Sequence, residues 1–536
     1  MATEVATGRD QTDRPLALTL LSASVAAILV FPLTWIVVRA ASVETDRALS
    51  ILIRARTVEI ALNSLFLMIA VTLLSIAIGV PLAFLTVRTN LPYRRMWTVL
   101  VSLPLAIPSY IGAFAFVALF RPRGIVQGIL EPIGIERLPD IYGLPGAILI
   151  ITLYTYPYVY ITTRAALKTF DQSLVDAART LNHSWWSTFR NVTFPQIRPA
   201  IAAGGLLVAL YAVSDFGTPA FLQAEVYTRQ IYLEHRSIGG GDYAAFLSLQ
   251  LVALTAFILV IESKVRGSET LYTTRTRGRS TRVELGVWRW PAAVVCFLLV
   301  FLTLLVPILL FTWWLYTGQA DAPESFQFQF EWLVNSLYVA TAAAIVAAIG
   351  ALPVAYLSGR FQTKAGWIFE RATYIGYAVP GIVVGLALVF FGANYGSLSL
   401  GQIEIGVYQS IPILVFAYVV RFMPQSVGST RSSVLQVNPR LTEAARTLGE
   451  GPIKTFWKVT LPLIAPGVVA GAALVFLTTI KELPATLLLR PTGFETLVTR
   501  IWAAESAGLY GYAAIPALLL LIVSGLSMVL ILRQED

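Results

Sequence analysis

"NSLFLMIAVTLLSIAIGVPLAFLTVR" at residues 63–88 and "NSLYVATAAAIVAAIGALPVAYLSGR" at residues 335–360 are two versions of one pattern. Each is apolar for longer than the roughly 20 residues a helix needs to cross a bilayer. Asn63, Ser64, Pro81, Ala83 and Arg88 match Asn335, Ser336, Pro353, Ala355 and Arg360 at an offset of 272 residues. Pro108 and Pro380 keep that offset, whereas from Pro157 and Pro424 onward it is 267. The chain is therefore an internal duplication whose second copy lost five residues net in a loop.

Ten further runs resemble these two in length and polarity. The twelve expected spans are 16–40, 58–87, 97–120, 144–163, 200–222, 244–262, 288–316, 333–358, 367–391, 408–428, 467–488 and 511–532. The first is long, lacks a convincing cleavage site and precedes eleven others, which reads as a retained span and not a signal peptide. Hydrophobic residues make up 57% of the chain and charged residues 13%, about half the charge of a soluble surface. The fold class is an all-α integral membrane protein with two six-helix repeats. Six is even, so the repeats are parallel and their axis follows the membrane normal.

Lys and Arg accumulate in cytoplasmic loops. Arg88, Arg94 and Arg95 follow span 2, and Arg360 and Lys364 follow span 8. The segment 264–286 carries Lys264, Arg266, Arg275, Arg277, Arg279 and Arg282. It reads as a cytoplasmic linker between a first half, 1–263, and a second, 287–536. Residues 318–331 hold three acids and no base. Both termini then lie in the cytoplasm. The net charge of +9 is topological on this reading, and no nucleic acid partner is implied. One cysteine, Cys296, and two histidines, His183 and His235, exclude an internal disulfide and most Cys- or His-based metal or hydrolytic centres.

Between spans 4 and 5, and again between spans 10 and 11, a short polar segment recurs: "LVDAARTLN" (174–182) and "LTEAARTLG" (441–449). Asp171 and Asn438 suit an N-cap, Pro439 suits the first helical position, and Asn182 and Gly449 suit the left-handed turn that ends a helix. Helices over 172–181 and 439–448 follow. Leu174, Ala177, Ala178 and Leu181, with mates Leu441, Ala444, Ala445 and Leu448, form one apolar stripe. Asp176 with Arg179, and Glu443 with Arg446, are spaced for ion pairs. Such a helix can lie on a membrane, pack under its own spans or dock on a partner. Pro195 and Pro462 lie in the matching stretches that follow, and Pro199 and Pro466 are placed to begin spans 5 and 11.

The run Glu443, Ala444, Ala445, Gly449, then Leu461 and Pro462, resembles the signature loop of ABC importer permeases. The first copy differs at Asp176 and Asn182, which keep the charge and the turn tendency. The resemblance implies the type I importer permease fold and two coupling helices, each seated on one of two copies of a cytoplasmic ATPase. It also implies an extracytoplasmic solute-binding protein. No Gly-Lys dipeptide occurs, so the chain lacks a Walker A loop. No cofactor is expected here, ATP and Mg belong on the partner ATPase, and the chain is not expected to be an enzyme. The setting is a bacterial inner membrane.

Two charges align across the repeat inside apolar runs: Asp215 in "SDFGTPA" and Glu482 in "KELPATLLLRP". Each stands 16 residues beyond Pro199 or Pro466, roughly 24 Å along a helix. They either meet water at the span ends or form a carboxylate pair on a cation path. Ser214 and Lys481 are the adjacent matched pair. Arg421, whose repeat mate is Tyr154, either pairs with a carboxylate or snorkels. These two motifs in a fused permease resemble the ferric-iron importers, while related thiamine permeases share much of the pattern and permeases for other small solutes share some of it. Oxygen ligands suit Fe(III), but two carboxylates are not a coordination sphere, so no metal site is assigned. An ion-gradient-driven secondary transporter and a channel or scaffold are the competing classes, and neither explains repeated docking helices.

Overall fold

The computed structural model describes residues 16–534 apart from 44, 123, 135–139, 170–171, 183, 268–282, 318–322, 324–325, 362 and 401–402. Most of the basic linker, with Arg275, Arg277, Arg279 and Arg282, thus lies outside the described residues, as do Asp171 and His183. Ten described helices are long and apolar enough to span a membrane, and twelve result if each of two bent pairs counts as one span. The bent pairs correct the third and ninth spans. Arg94–Ala106 turns by 89° into Ser109–Gly128, and Lys364–Ala378 turns by 98° into Gly381–Tyr395. Pro108 and Pro380 sit at these corners as N-caps with extended backbone. Proline removes a helical donor and pushes the residue before it out of the helical region. Among the described residues the strand pairing is limited to an antiparallel hairpin, Ser397–Leu400 with Ile403–Gly406, and a single parallel bridge between Thr89 and Val283.

Ala55–Arg88 shows how the sequence orients a span. Ile60, Ser64, Leu67, Val71, Ser75 and Gly79 are buried, while Leu62, Phe66, Ile69 and Leu73 are exposed on the other side. Both sets recur at three or four residues, so one face meets protein and the other lipid. At Gly79 a Cβ would stand 2.9 Å from the backbone nitrogen of Tyr160. Glycine lets this span lie against Leu144–Thr169 at backbone contact distance. The fourth spans, Leu144–Thr169 and Ile411–Gln436, are each two-thirds buried in their apolar windows. They form the inner wall, which explains why their hydropathy is the lowest of the set.

The repeated "Asn-Ser" pair has a structural role. Ser64 Oγ accepts a hydrogen bond from Tyr227 N at 2.9 Å, and Ser336 Oγ accepts one from Leu497 N at 2.9 Å. Asn63 Nδ2 donates to Glu225 O at 3.2 Å and Asn335 Nδ2 to Glu495 O at 3.0 Å. Each pair satisfies a free donor and a free acceptor around the start of a short helix, Tyr227–Arg236 or Leu497–Ser506. The two halves also exchange their first helices. Leu16–Ala41 packs on Lys364–Ala378 and Gly381–Tyr395 of the second half, with Trp35 and Tyr395 rings 4.5 Å apart. The second half's first helix reaches the first half, where Tyr154 Oη donates to Thr303 O at 3.0 Å and Phe114 stacks on Phe311.

Spans 5 and 11 begin earlier than the sequence predicts. The helix is continuous from Trp186 to Ser214 and from Pro452 to Thr479. Pro199 and Pro466 therefore lie inside helices and do not start them. Each helix contains a π-helical turn, Phe189–Thr193 or Phe456–Thr460, directly before Pro195 or Pro462. The wide turn relieves the hydrogen-bond ladder where proline brings no N–H.

On Leu497–Ser506, outside the spanning helices, burial pushes the Glu505 carboxyl up to about 7. The folded state thus holds the proton more tightly than the unfolded chain. Its cost appears as pH rises above the unfolded carboxylate range and is complete above pH 7. Glu505→Gln is expected to raise the melting temperature at pH 8 and leave it unchanged near pH 4.5. Thermal unfolding of the purified chain across that range checks it.

Candidate functional site

Two regions carry the residues singled out by sequence. The first is the end of the bundle bearing the repeated polar helices, Gln172–Thr180 and Pro439–Thr447. Asn438 caps the second helix, its Oδ1 accepting from Arg440 N at 3.0 Å. The helix closes with Gly449 N donating to Arg446 O and Glu450 N donating to Ala445 O. This is a Schellman turn, and it needs the left-handed residue at Gly449, whose φ is 86°. Asn182 takes the same backbone region at φ 62°.

The apolar stripe stays open. Leu441 and Leu448 are 48% and 85% exposed, and Leu174 and Leu181 are 42% and 74% exposed. Ala177 and Ala444 are exposed, Ala445 is half-buried and Ala178 is buried. These leucines do not pack under their own spans. Glu443 differs from the sequence expectation, since its ion pair is with Arg360 at 3.5 Å and not with Arg446. Arg360 also donates to Thr442 Oγ1 at 3.1 Å. The span that begins near Asn335 thus grips the polar helix through its far end. The side chains of Asp176 and Arg179 lie outside the described residues. At the end of this helix, the Lys458 ammonium holds the Glu450 carboxyl below its usual range through a 2.8 Å contact.

The second region is a cavity of about 200 Å³ between the halves. All six intramembrane candidates, Tyr154, Ser214, Asp215, Arg421, Lys481 and Glu482, line it. The spans that carry the two acids end earlier than expected, because the helices break at the acids themselves. Phe194–Ser214 ends with Asp215 as C-cap, and Leu461–Thr479 ends just before Lys481 and Glu482. Short helices Gly217–Phe221 and Pro484–Leu489 follow. Pro219 and Pro484 lie just beyond the breaks and disfavour an uninterrupted helix. A broken helix at membrane depth is tolerated where it lines a cavity.

The repeat positions are equivalent but their partners are not. Glu482 forms an ion pair with Arg421, and its carbonyl accepts from Thr486 Oγ1. Arg421 stands over the Phe422 ring. A Cβ at Gly381 would collide with the side-chain ends of both members of the pair, so a larger residue there would have to displace them. Asp215 instead accepts from Ser109 Oγ at 2.8 Å. Ser109 Oγ also lies 3.0 Å from Tyr211 Oη. Tyr110 Oη donates to the carbonyl of Lys481 at 3.2 Å, joining the halves beside the break. Tyr154, the mate of Arg421, spends its hydroxyl on Thr303. Sequence reading missed Ser109, Tyr158, Tyr211, Tyr377 and Arg360. The aligned corners at Pro108 and Pro380 pointed to Ser109, but aromatic residues in an apolar run give no polar signal.

Comparison with known proteins adds the following. The family model described as "Binding-protein-dependent transport system inner membrane component" matches residues 75–263 and 351–534. An Fe(3+)-transport system permease protein of Haemophilus influenzae is 30% identical over 96% of this chain and 98% of its own length. A ferric transport system permease protein of Actinobacillus pleuropneumoniae is 24% identical over 89% of this chain and 71% of its own length. A probable molybdenum ABC transporter permease protein of Haloferax volcanii is 30% identical over 41% of this chain and 78% of its own length.

Proposed function

Because the chain belongs to the family of binding-protein-dependent transport system inner membrane components, we propose that it is the fused permease subunit of an ATP-driven importer of ferric iron. The observation that carries the substrate is the end-to-end similarity to a permease named for Fe(3+) transport. The molybdenum relative covers only one half.

Two copies of a cytoplasmic ATPase dock on Gln172–Thr180 and Pro439–Thr447. The exposed leucines of both helices support this, since open apolar stripes on capped, rigid helices suit a groove in a partner. ATP is hydrolysed on those partners, with Mg, and not on this chain. The basic loops support a cytoplasmic position for the docking helices and both termini. An extracytoplasmic binding protein delivers the cargo to the opposite end. Closure of the ATPase pair moves the docking helices, and the tie from Arg360 to Thr442 and Glu443 passes that motion to the Phe330–Phe361 span.

Reconstitution in vesicles with the ATPase and binding protein tests the reading. ATP-dependent uptake of labelled Fe(III), with no uptake of thiamine or molybdate, is the expected result. Uptake that ignores ATP and follows an ion gradient would overturn it in favour of a secondary transporter.

A further inference from the structure

The described residues contain no group of three or more His, Cys, Asp or Glu side chains able to hold a metal. Tyrosine is a further candidate, since its phenolate is a hard oxygen donor of the kind Fe(III) prefers. The central cavity is rich in it. Tyr110, Tyr154, Tyr158, Tyr211 and Tyr377 all line its wall. Tyr110 and Tyr154 direct their hydroxyls to backbone carbonyls. Tyr211 does not, since its hydroxyl lies 3.0 Å from Ser109 Oγ, which donates to Asp215 at 2.8 Å. One phenol and one carboxylate thus converge on a single serine hydroxyl. The Tyr158 ring lies 6.1 Å from that of Tyr211, and Tyr377 faces the same space from the second half.

Resting on the ferric reading above, we propose that Tyr211 and Asp215 form a transient contact site for the ferric ion in transit, with Ser109 orienting the Asp215 carboxylate and accepting the Tyr211 O–H until the ion displaces it. A ferric ion in neutral water carries hydroxide. The exchange balances without any redox step: the Fe–OH bond breaks, the Fe–O(Tyr211) bond forms, and the phenolic proton leaves with the hydroxide as water. Glu482 is not a donor, because Arg421 holds it. Lys481 lines the same cavity as an added positive charge. Its repulsion keeps the contact weak, as conduction requires of a site that must also release its ion.

The test is a titration of the purified full-length chain with Fe(III)–nitrilotriacetate. A visible phenolate-to-iron charge-transfer band is expected, rising with excess Fe(III) to a plateau. Tyr211→Phe, which keeps the ring, should abolish the band, and Tyr356→Phe should retain it. Ser109→Ala should weaken binding about tenfold, as removal of a donor-orienting partner does elsewhere. Lys481→Met should strengthen the band while slowing uptake in the reconstituted system. Size-exclusion and thermal profiles matching wild type establish that each variant is folded. A wild-type chain that imports Fe(III) but shows no band overturns the site and leaves the proposed function standing. A band that survives Tyr211→Phe overturns it equally. Absence of ATP-driven iron uptake by wild type strikes the proposed function itself.

Discussion

Ala177→Glu combined with Ala444→Glu is expected to abolish ATP-driven uptake and to release the ATPase during purification. Both alanines are exposed, so the added carboxylates meet water in the isolated chain. Its own stability should stay within about 0.5 kcal/mol of wild type, as for surface changes away from a cap or core. On a docked helix the same carboxylates are forced against the partner's groove. A buried, unpaired charge there costs several kcal/mol, and two copies double the penalty. Each single variant should retain a reduced ATPase yield, because one helix still docks. Co-purification and uptake assays read both quantities. A double variant that keeps its ATPase and its uptake rate would show that these helices do not couple the subunits.

Arg421→Met is expected to destabilise the chain by about 3–5 kcal/mol, the usual cost of removing one member of a buried ion pair. Glu482 is 6% exposed and sits at a helix break inside the bundle. Pairing Arg421→Met with Glu482→Gln should recover most of the loss, since no uncompensated charge then remains. Thermal unfolding of the four proteins in one detergent closes the cycle. If Arg421→Met alone melts like wild type, the pair is solvated and the closed corner at Gly381 is misread.

The duplication, the spans and the polar helices could be read from sequence because they depend on local periodicity. Asn438 and Gly449 announce the helix between them, and both ends lie where those residue types put them. The breaks at Asp215 and Glu482 were less visible, although Pro219 and Pro484 stood four and two residues further on. Hydropathy windows ran across them because Phe216, Leu483 and their neighbours are as apolar as any span. The bends at Pro108 and Pro380 were hidden for the same reason. Partners could not be read at all. Arg421 has Tyr154 as its repeat mate, so symmetry gave no acid opposite it, and only the fold brings Glu482 there. Arg360 looked like a topology marker, and its grip on Thr442 depends on where the fold places a polar helix more than 80 residues away.

The exchange of first helices bears on how the protein is made. Leu16–Ala41 leaves the ribosome well before the surface it packs against, Lys364–Ala378 and Gly381–Tyr395. More than 300 residues separate the helix from that surface. At synthesis rates of about 5–20 residues per second, the helix waits roughly 20–60 s for its partners. During that interval Trp35 and Arg39 face lipid or the insertion machinery without Tyr395 and Phe390, which they contact in the finished bundle. The first half does not complete its packing until the second half has been made as far as Tyr395. Carrying both halves on one polypeptide keeps the waiting helix beside the surface it will join, whereas two separate subunits would have to find each other in the plane of the membrane.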